Sequence, residues 1–361
     1  RRTFHQNRTG NSIVNGRRGM FELRRLSVKD GMDIYEMLQE IPAEENNMHN
    51  SAYGISFEAY KDFLVESEEE SKRDGIIDGW RVPSTRYWLY VNGKPVGFAV
   101  IRHFLTPALR QAGGNIGYTI RPTERGRGYG KKLLELLLEE ARKKGLEKVL
   151  ITALPTNAAS IGVAKANGGQ LIKKTDERVY IWIPLVDYSD VKLETEDLVL
   201  KKAKFEDWEA LYNNLWKHTE SARYMLWTPT ESEEEAIDRM NRTIAFQKIE
   251  KYAFLVCLRE TGEPIGSAGM RDSGDGAYEE IGIALGPDYV RKGYGRQILN
   301  ALTDEAKRMG AIRFLASNRV NNEASRGLQT ACGFSFDYLS EEKTDPRTGE
   351  KYFVENHIKI L

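Results

Sequence analysis

Residues Ile116 to Gly130, IGYTIRPTERGRGYG, run from a strand-like pattern into a loop rich in glycine and arginine. An amphipathic run follows, Lys131 to Lys144, with Leu133, Leu134, Leu137 and Ala141 on one helical face and a stop at Gly145. Glycines let a backbone approach a ligand closely and take positive φ. Their N–H groups, with a helix N-terminus behind them, form an anion cradle. Flanking Arg and Lys add charge suited to a diphosphate. The spacing fits neither a Walker A loop nor the dinucleotide G-x-G-x-x-G. For one such loop, a tight glycine turn is the competing reading.

The stretch occurs twice. Residues 116–170 align without a gap with 281–335 at a shift of 165, and 18 of the 55 positions are identical. Ile281 to Gly295, IGIALGPDYVRKGYG, is the second copy, and each loop is followed 27 residues later by Asn-x-x-Ser. Two copies in one strand–loop–helix context are much stronger than one, and point to gene duplication rather than an array. With small gaps the repeat extends outward: Leu23-Arg24-Arg25 matches Leu200-Lys201-Lys202, and Pro95-Val96-Gly97 matches Pro264-Ile265-Gly266.

Each copy reads as mixed α/β. In the first, 21–26 is a strand, 28–40 and 57–72 are helices, and 86–91 and 94–103 are strands joined at Asn92-Gly93, a strong hairpin signal. Strands at 115–121, 148–153, 170–174 and 179–184 and helices at 131–144 and 158–166 complete it. The second copy repeats the order, with Ile298, Leu299, Leu302 and Ala306 on its helix face. The expected divisions are a leader at 1–19, a domain at 20–188 and a domain at 193–361. The leader holds five arginines, no acid and no apolar core. It reads as disordered or non-native, with the native start at Met20; a basic arm or a transit remnant is the alternative.

Composition bounds the function. The 361 residues suit two domains, and 53 basic against 53 acidic residues leave no footprint for nucleic acid. No apolar run approaches the roughly 20 residues a membrane helix needs. Two cysteines, Cys257 and Cys332, cannot build a disulfide framework and suit the cytoplasm; they read as core thiols. Five scattered histidines give no metal pattern.

Arg125-x-x-Gly128-x-Gly130, with its surrounding element order, resembles the acyl-CoA pyrophosphate motif of GNAT-type N-acetyltransferases. The resemblance covers about 21–186 and 193–361, and the second half is similar to the branch that contains ribosomal-protein N-terminal acetyltransferases. It implies two tandem acyl-CoA N-acyltransferase domains, each a mixed sheet flanked by helices and splayed between its fourth and fifth strands, where acetyl-CoA inserts. Carried over, Tyr118, Thr119 and Ile120 would meet pantetheine and the acetyl group. Arg125, Gly126, Arg127, Gly128, Tyr129, Gly130 and Lys131 would hold the pyrophosphate, and Asn157 and Ser160 would line the arm. The second-copy equivalents are Ile283, Ala284 and Leu285, then Arg291, Lys292, Gly293, Tyr294, Gly295 and Arg296, then Asn322 and Ser325. The family's leading Gln or Arg is Arg125 in the first copy but Val290 in the second. Asn157 and Asn322 read equally well as helix N-caps.

Acetyl transfer needs a base for the amine, donors for an oxyanion and a proton for the thiolate. Many relatives use a Tyr seven residues after the Asn for that proton; here Ala164 and Gln329 stand there. Glu280, just before the second copy's central strand, is the candidate base, or a plain strand-end carboxylate; Asn115 matches it in the first copy. Tyr118 is the other catalytic candidate, or a buried strand tyrosine. The leading expectation is an acetyl-CoA-dependent N-acetyltransferase acting on a primary amine of a small molecule or a protein N-terminus. A CoA-binding regulatory protein with silent sites, and an aminoacyl transferase using tRNA, are the competing classes.

Overall fold

The computed structural model describes residues 4–6, 12–16 and 19–361, and divides the chain between Val186 and Asp187. The first unit runs β1 (Phe4–Gln6), β2 (Ser12–Gly16), β3 (Gly19–Arg25), α1 (Met32–Glu40), β4 (Glu44–Glu45), β5 (Met48–His49) and α2 (Phe57–Glu70). It continues with β6 (Ser84–Val91), β7 (Lys94–Arg102), α3 (Pro107–Gln111), β8 (Ile116–Ile120), α4 (Tyr129–Lys143), β9 (Lys148–Ala153), α5 (Ala158–Ala166), β10 (Gln170–Lys174) and β11 (Val179–Pro184). Asn92 and Gly93, with φ of 50° and 81°, close the β6–β7 hairpin as a turn of the kind that matches strand twist.

Six strands pair in the order β1-β2-β3-β6-β7-β8, and three more in the order β10-β11-β9. No ladder joins β8 to β9, so the unit forks between its two sheets. Alternation decides the two cores. Tyr87, Leu89 and Val91 of β6 join α4 and α5, while Trp88 and Tyr90 join α1 and α2 on the other face. On α4, Leu133, Leu134 and Leu137 are fully buried, worth about 1.5–3 kcal/mol each.

Of the expected leader, Phe4–Gln6 pairs with Ser12–Gly16, which pairs with β3 and so covers an edge that would otherwise expose unpaired N–H and C=O groups; its remaining positions before Gly19 lie outside the described residues. One expectation is corrected here: α1 begins at Met32, not at Val28. Ser27 and Asp30 close a turn first, the Ser27 N–H donating to the Asp30 carboxylate at 2.9 Å.

The second unit runs β12 (Leu193–Glu194), β13 (Leu198–Lys201), α6 (Trp208–Leu211), α7 (Thr219–Ala222), α8 (Glu233–Ile249), β14 (Ala253–Leu258), β15 (Pro264–Gly274) and β16 (Ala277–Leu285). Then come α9 (Tyr294–Arg308), β17 (Arg313–Arg319), α10 (Glu323–Ala331), β18 (Ser335–Leu339), β19 (Lys343–Thr344), β20 (Lys351–Tyr352) and β21 (Val354–Ile360). Its eight-stranded sheet has the order β12-β13-β14-β15-β16-β17-β21-β18. Strands β16 and β17 pair in parallel only over Ala277–Glu279 and Arg313–Leu315, and separate beyond. Among the described residues no helix is long and apolar enough to cross a membrane, and no cluster of ligating side chains could hold a metal ion.

Candidate active site

Asn115 sits at the fork of the first unit. Its N–H donates to the Leu150 carbonyl at 2.8 Å, and its side-chain oxygen accepts the Leu150 N–H at 2.9 Å. The buried amide thus stitches the two sheets together at the last point where they touch. Gly114 is required beside it, because a Cβ there would lie 2.3 Å from the Leu150 carbonyl oxygen.

Past Asn115 the register of β7 and β8 decides which backbone groups face the gap. The Arg121 N–H donates to Val96, and Phe98 opposes Thr119 two residues back. Hydrogen-bonded pairs alternate in antiparallel strands, so Gly117 and Thr119 are engaged with β7 while Tyr118 and Ile120 turn their N–H and C=O outward. Thr119 lines the cleft, but its main chain is not free for pantetheine as expected.

The gap opens into a cleft of about 1090 Å³. Tyr118, Thr119, Ile120, Arg125, Gly126 and Gly128 line it, and so do Tyr129, Gly130, Lys131, Asn157 and Ser160. Gly126 and Gly128 take φ of 75° and 80°, and nothing lies within 4 Å of where their Cβ atoms would be. Gly128 is the left-handed N-cap of α4, with no side chain capping that helix end. An open cradle of backbone at an uncapped helix N-terminus fits a pyrophosphate. Arg125 is held at the loop by a two-pronged pair with Glu45, at 2.9 and 2.6 Å. Arg127 pairs with Glu124 and is not part of the lining. The Asn157 side chain accepts the Ser160 N–H at 3.1 Å, so it caps α5. The Tyr118 hydroxyl lies 3.3 Å from the Ser160 hydroxyl, and burial pushes its pKa up to about 12. It keeps its proton at neutral pH and is a donor, not a base.

The second unit differs at the same places. Between Ala268–Ile283 and Met270–Glu280 the ladder slips by one residue, a bulge in β16 at which Gly282 takes φ 119°. Burial pushes the Glu280 carboxyl up to about 7, although the N–H groups of Gly282 and Ile283, bonded to it, pull the other way. By the same alternation Ile283 and Leu285 face the gap while Ala284 is engaged with Ser267. The Ser221 hydroxyl donates to the Leu285 carbonyl at 3.1 Å. In the loop, Arg291 occupies the left-handed position held by Gly126 in the first unit, with φ 60°. Lys292 reaches over the Tyr289 ring, Gly293 repeats the left-handed cap, and Tyr294, Gly295 and Arg296 open α9. Asn322 caps α10 by accepting the Ser325 N–H at 3.2 Å.

Ala164 is fully buried in the first core and Gln329 is buried on α10, so neither position supplies a phenol. Burial raises both thiols, Cys257 to about 12, which makes them core groups. Sequence reading missed Glu45, His49, Glu70, Arg86 and Arg102, which all line the first cleft. The available signal was charge on the inward face of a strand: Arg86 stands immediately before the apolar run Tyr87 to Val91 of β6.

A family model described as the acetyltransferase (GNAT) family matches residues 50–168, and one described as an acetyltransferase (GNAT) domain matches 197–335. An L-2,4-diaminobutyric acid acetyltransferase of Nocardia farcinica is 34% identical over 96 residues, 26% of this chain and 49% of that protein. The chain therefore spans about half the length of that curated relative. A GNAT-family acetyltransferase structure from Bacillus anthracis is 20% identical, covers 47% of this chain and 98% of its own, and has a TM-score of 0.41. An acetyl transferase from Salmonella typhimurium that modifies the N-terminal serine of ribosomal protein L7/L12 is 20% identical, with coverage of 47% and 99% and a TM-score of 0.41.

Proposed function

Both halves of this chain belong to the GNAT acetyltransferase family, and from that premise we propose an acetyl-CoA-dependent N-acetyltransferase acting on a primary amine. The observation that carries the reading is the first unit's cleft, where a strand edge with the Tyr118 and Ile120 N–H groups turned outward, a left-handed glycine loop and an uncapped helix end line one space. Acetyl-CoA supplies the acetyl group as a thioester. Arg125, Lys131 and the N–H groups from Gly126 to Gly130 hold its phosphates, and the outward groups of Tyr118 with the Ile120 N–H pair with its amide arm, the Ile120 carbonyl already accepting Arg125 Nε at 2.9 Å. In the second unit Arg291 to Arg296 and the edge at Ile283 and Leu285 have the same task.

The residues divide the chemistry. N–H donors on the strand edges offset negative charge that develops on the reacting oxygen. Glu280, held near neutrality by burial, takes a proton from the attacking ammonium in the second unit. Tyr118 keeps its proton and can donate in the first. The acceptor is a small molecule or a protein N-terminus, and the diamino-acid acceptor in the Nocardia protein's name supports the small-molecule case. The buried thiols Cys257 and Cys332 suit the cytoplasm.

CoA release from acetyl-CoA in the presence of an amine panel tests this reading. Amine-dependent release supports it. Tight acetyl-CoA binding without release with any amine turns it into the second reading, a CoA-binding regulatory protein. That reading is favoured by one observation, Ala164 and Gln329 in place of a phenol.

A further inference from the structure

The first unit's cleft does not end at the strand edge. It extends to a second set of walls on the face of the sheet covered by α1 and α2, where Phe63, Glu70, Trp80, Arg86 and Arg102 line it. Strand pairing sets Ser84 opposite Arg102 and Arg86 opposite Val100. Two guanidiniums therefore stand on the face that elsewhere carries Trp88 and Phe98. Buried charges are ordinarily paired. Here the pairing is incomplete. Glu70 accepts the Ser84 hydroxyl at 3.0 Å and stands 3.9 Å from Arg86 Nη1, too far for a hydrogen bond. That buried Nη1 has no hydrogen-bond partner. Arg102 donates Nη1 to the carbonyls of Gly113 and Gly114, which are neutral. Burial and the proximity of Arg86 both lower the Arg102 pKa, yet a guanidinium keeps its charge. Arg178 adds a further guanidinium to the lining. The Phe63 ring lies 5.4 Å from the Arg86 guanidinium carbon and gives one wall an apolar surface.

Beside Arg86 and Arg102 one carboxylate, Glu70, thus faces two shielded guanidiniums, in the same cleft as the strand edge that would present the acetyl group; the other carboxylates of the lining, Glu45 and Glu124, are paired with Arg125 and with Lys94 and Arg127. We propose that the first unit's acceptor is a free amino acid, whose carboxylate binds at Arg86 while its amine reaches the edge of β8 at Tyr118. This rests on the acetyltransferase reading and adds the acceptor class to it. Simple amines and diamines lack the group that would satisfy Arg86.

Matched ligands that differ only by a carboxylate test the proposal on the full-length chain loaded with CoA: ornithine against putrescine, lysine against cadaverine, and alanine against ethylamine. Calorimetry is expected to give about tenfold or greater preference for the carboxylated member of at least one pair, the effect of one charge-assisted hydrogen-bonded contact. Arg86→Gln is expected to abolish that preference while the affinity for acetyl-CoA stays unchanged. Equal affinity within every pair, binding of none of the six, or a preference that survives Arg86→Gln overturns it. If Arg86→Gln fails to fold, the comparison on the unaltered chain decides alone. Acetyl-CoA binding, titrated in parallel, reports separately on the acetyltransferase reading: its loss sinks that reading, and its presence without carboxylate preference sinks only this one.

Discussion

Asn115 and Glu280 stand at matching places in the two copies and do different work. The Asn115 amide ties β8 to β9 through Leu150, so Asn115→Ala leaves a buried N–H unsatisfied and is expected to cost about 1–3 kcal/mol in denaturant unfolding. Unchanged stability would show that the stitch contributes nothing. Glu280 sits one residue past the last β16–β17 pair and is raised to about 7. A base works only when deprotonated, so acetyl transfer is expected to fall as pH drops through about 7. Glu280→Gln should lower kcat about 10²- to 10⁴-fold and remove that acid limb. The sign for stability is opposite. A carboxyl whose folded pKa exceeds its unfolded value makes the fold weaker as pH rises from the unfolded value toward about 7. At pH 8, Glu280→Gln is therefore expected to be more stable than the parent, by on the order of 2 kcal/mol. Slow turnover combined with a raised melting temperature is not what a damaged fold would give, and unchanged turnover would remove Glu280 from the chemistry.

The loops show how element-scale rules were legible in sequence and where they stopped. The helix faces, the Asn92-Gly93 hairpin and the strand–loop–helix repeat follow from periodicity and turn residues alone. The cap reading of Asn157 and Asn322 is seen directly, since each accepts the N–H of the serine three residues on, and capping is compatible with a place beside the cofactor arm. The partner of Arg125 was not legible, because Glu45 comes from a short hairpin eighty residues earlier. Arg291 was noticed for its charge, but its backbone could not be read. At φ 60° it holds a position that favours glycine. Arg291→Gly is expected to relieve about 1 kcal/mol of strain and raise the melting temperature. It should also weaken acetyl-CoA binding at the second unit if that guanidinium stands in for the arginine missing at Val290. A variant that binds as before and is no more stable would refute both parts.

At the scale of the whole molecule, duplication has produced two cradles of unequal make-up. The first has Arg125 and two left-handed glycines; the second has Val290, one left-handed arginine and one left-handed glycine. Calorimetry should resolve two acetyl-CoA sites per chain, the tighter in the first unit by about tenfold to a hundredfold, the effect of one charge-assisted contact. Gly128→Glu should remove the tighter event and Gly293→Glu the weaker. Loss of the tighter event in Gly293→Glu would reverse the assignment.

The fork of the first unit also has a signature in time rather than in space. Beyond Asn115 every second amide of β8 is locked in the ladder to β7, while Tyr118 and Ile120 point into an open gap. Deuterium should therefore enter β8 in a dotted pattern, fast at Tyr118 and Ile120 and slow at Gly117 and Thr119. Added acetyl-CoA, lying along the gap as one more strand would, should slow exchange at the fast positions. Uniform exchange along β8, or a fast set that ignores the ligand, would mean that the gap is not where the cofactor lies.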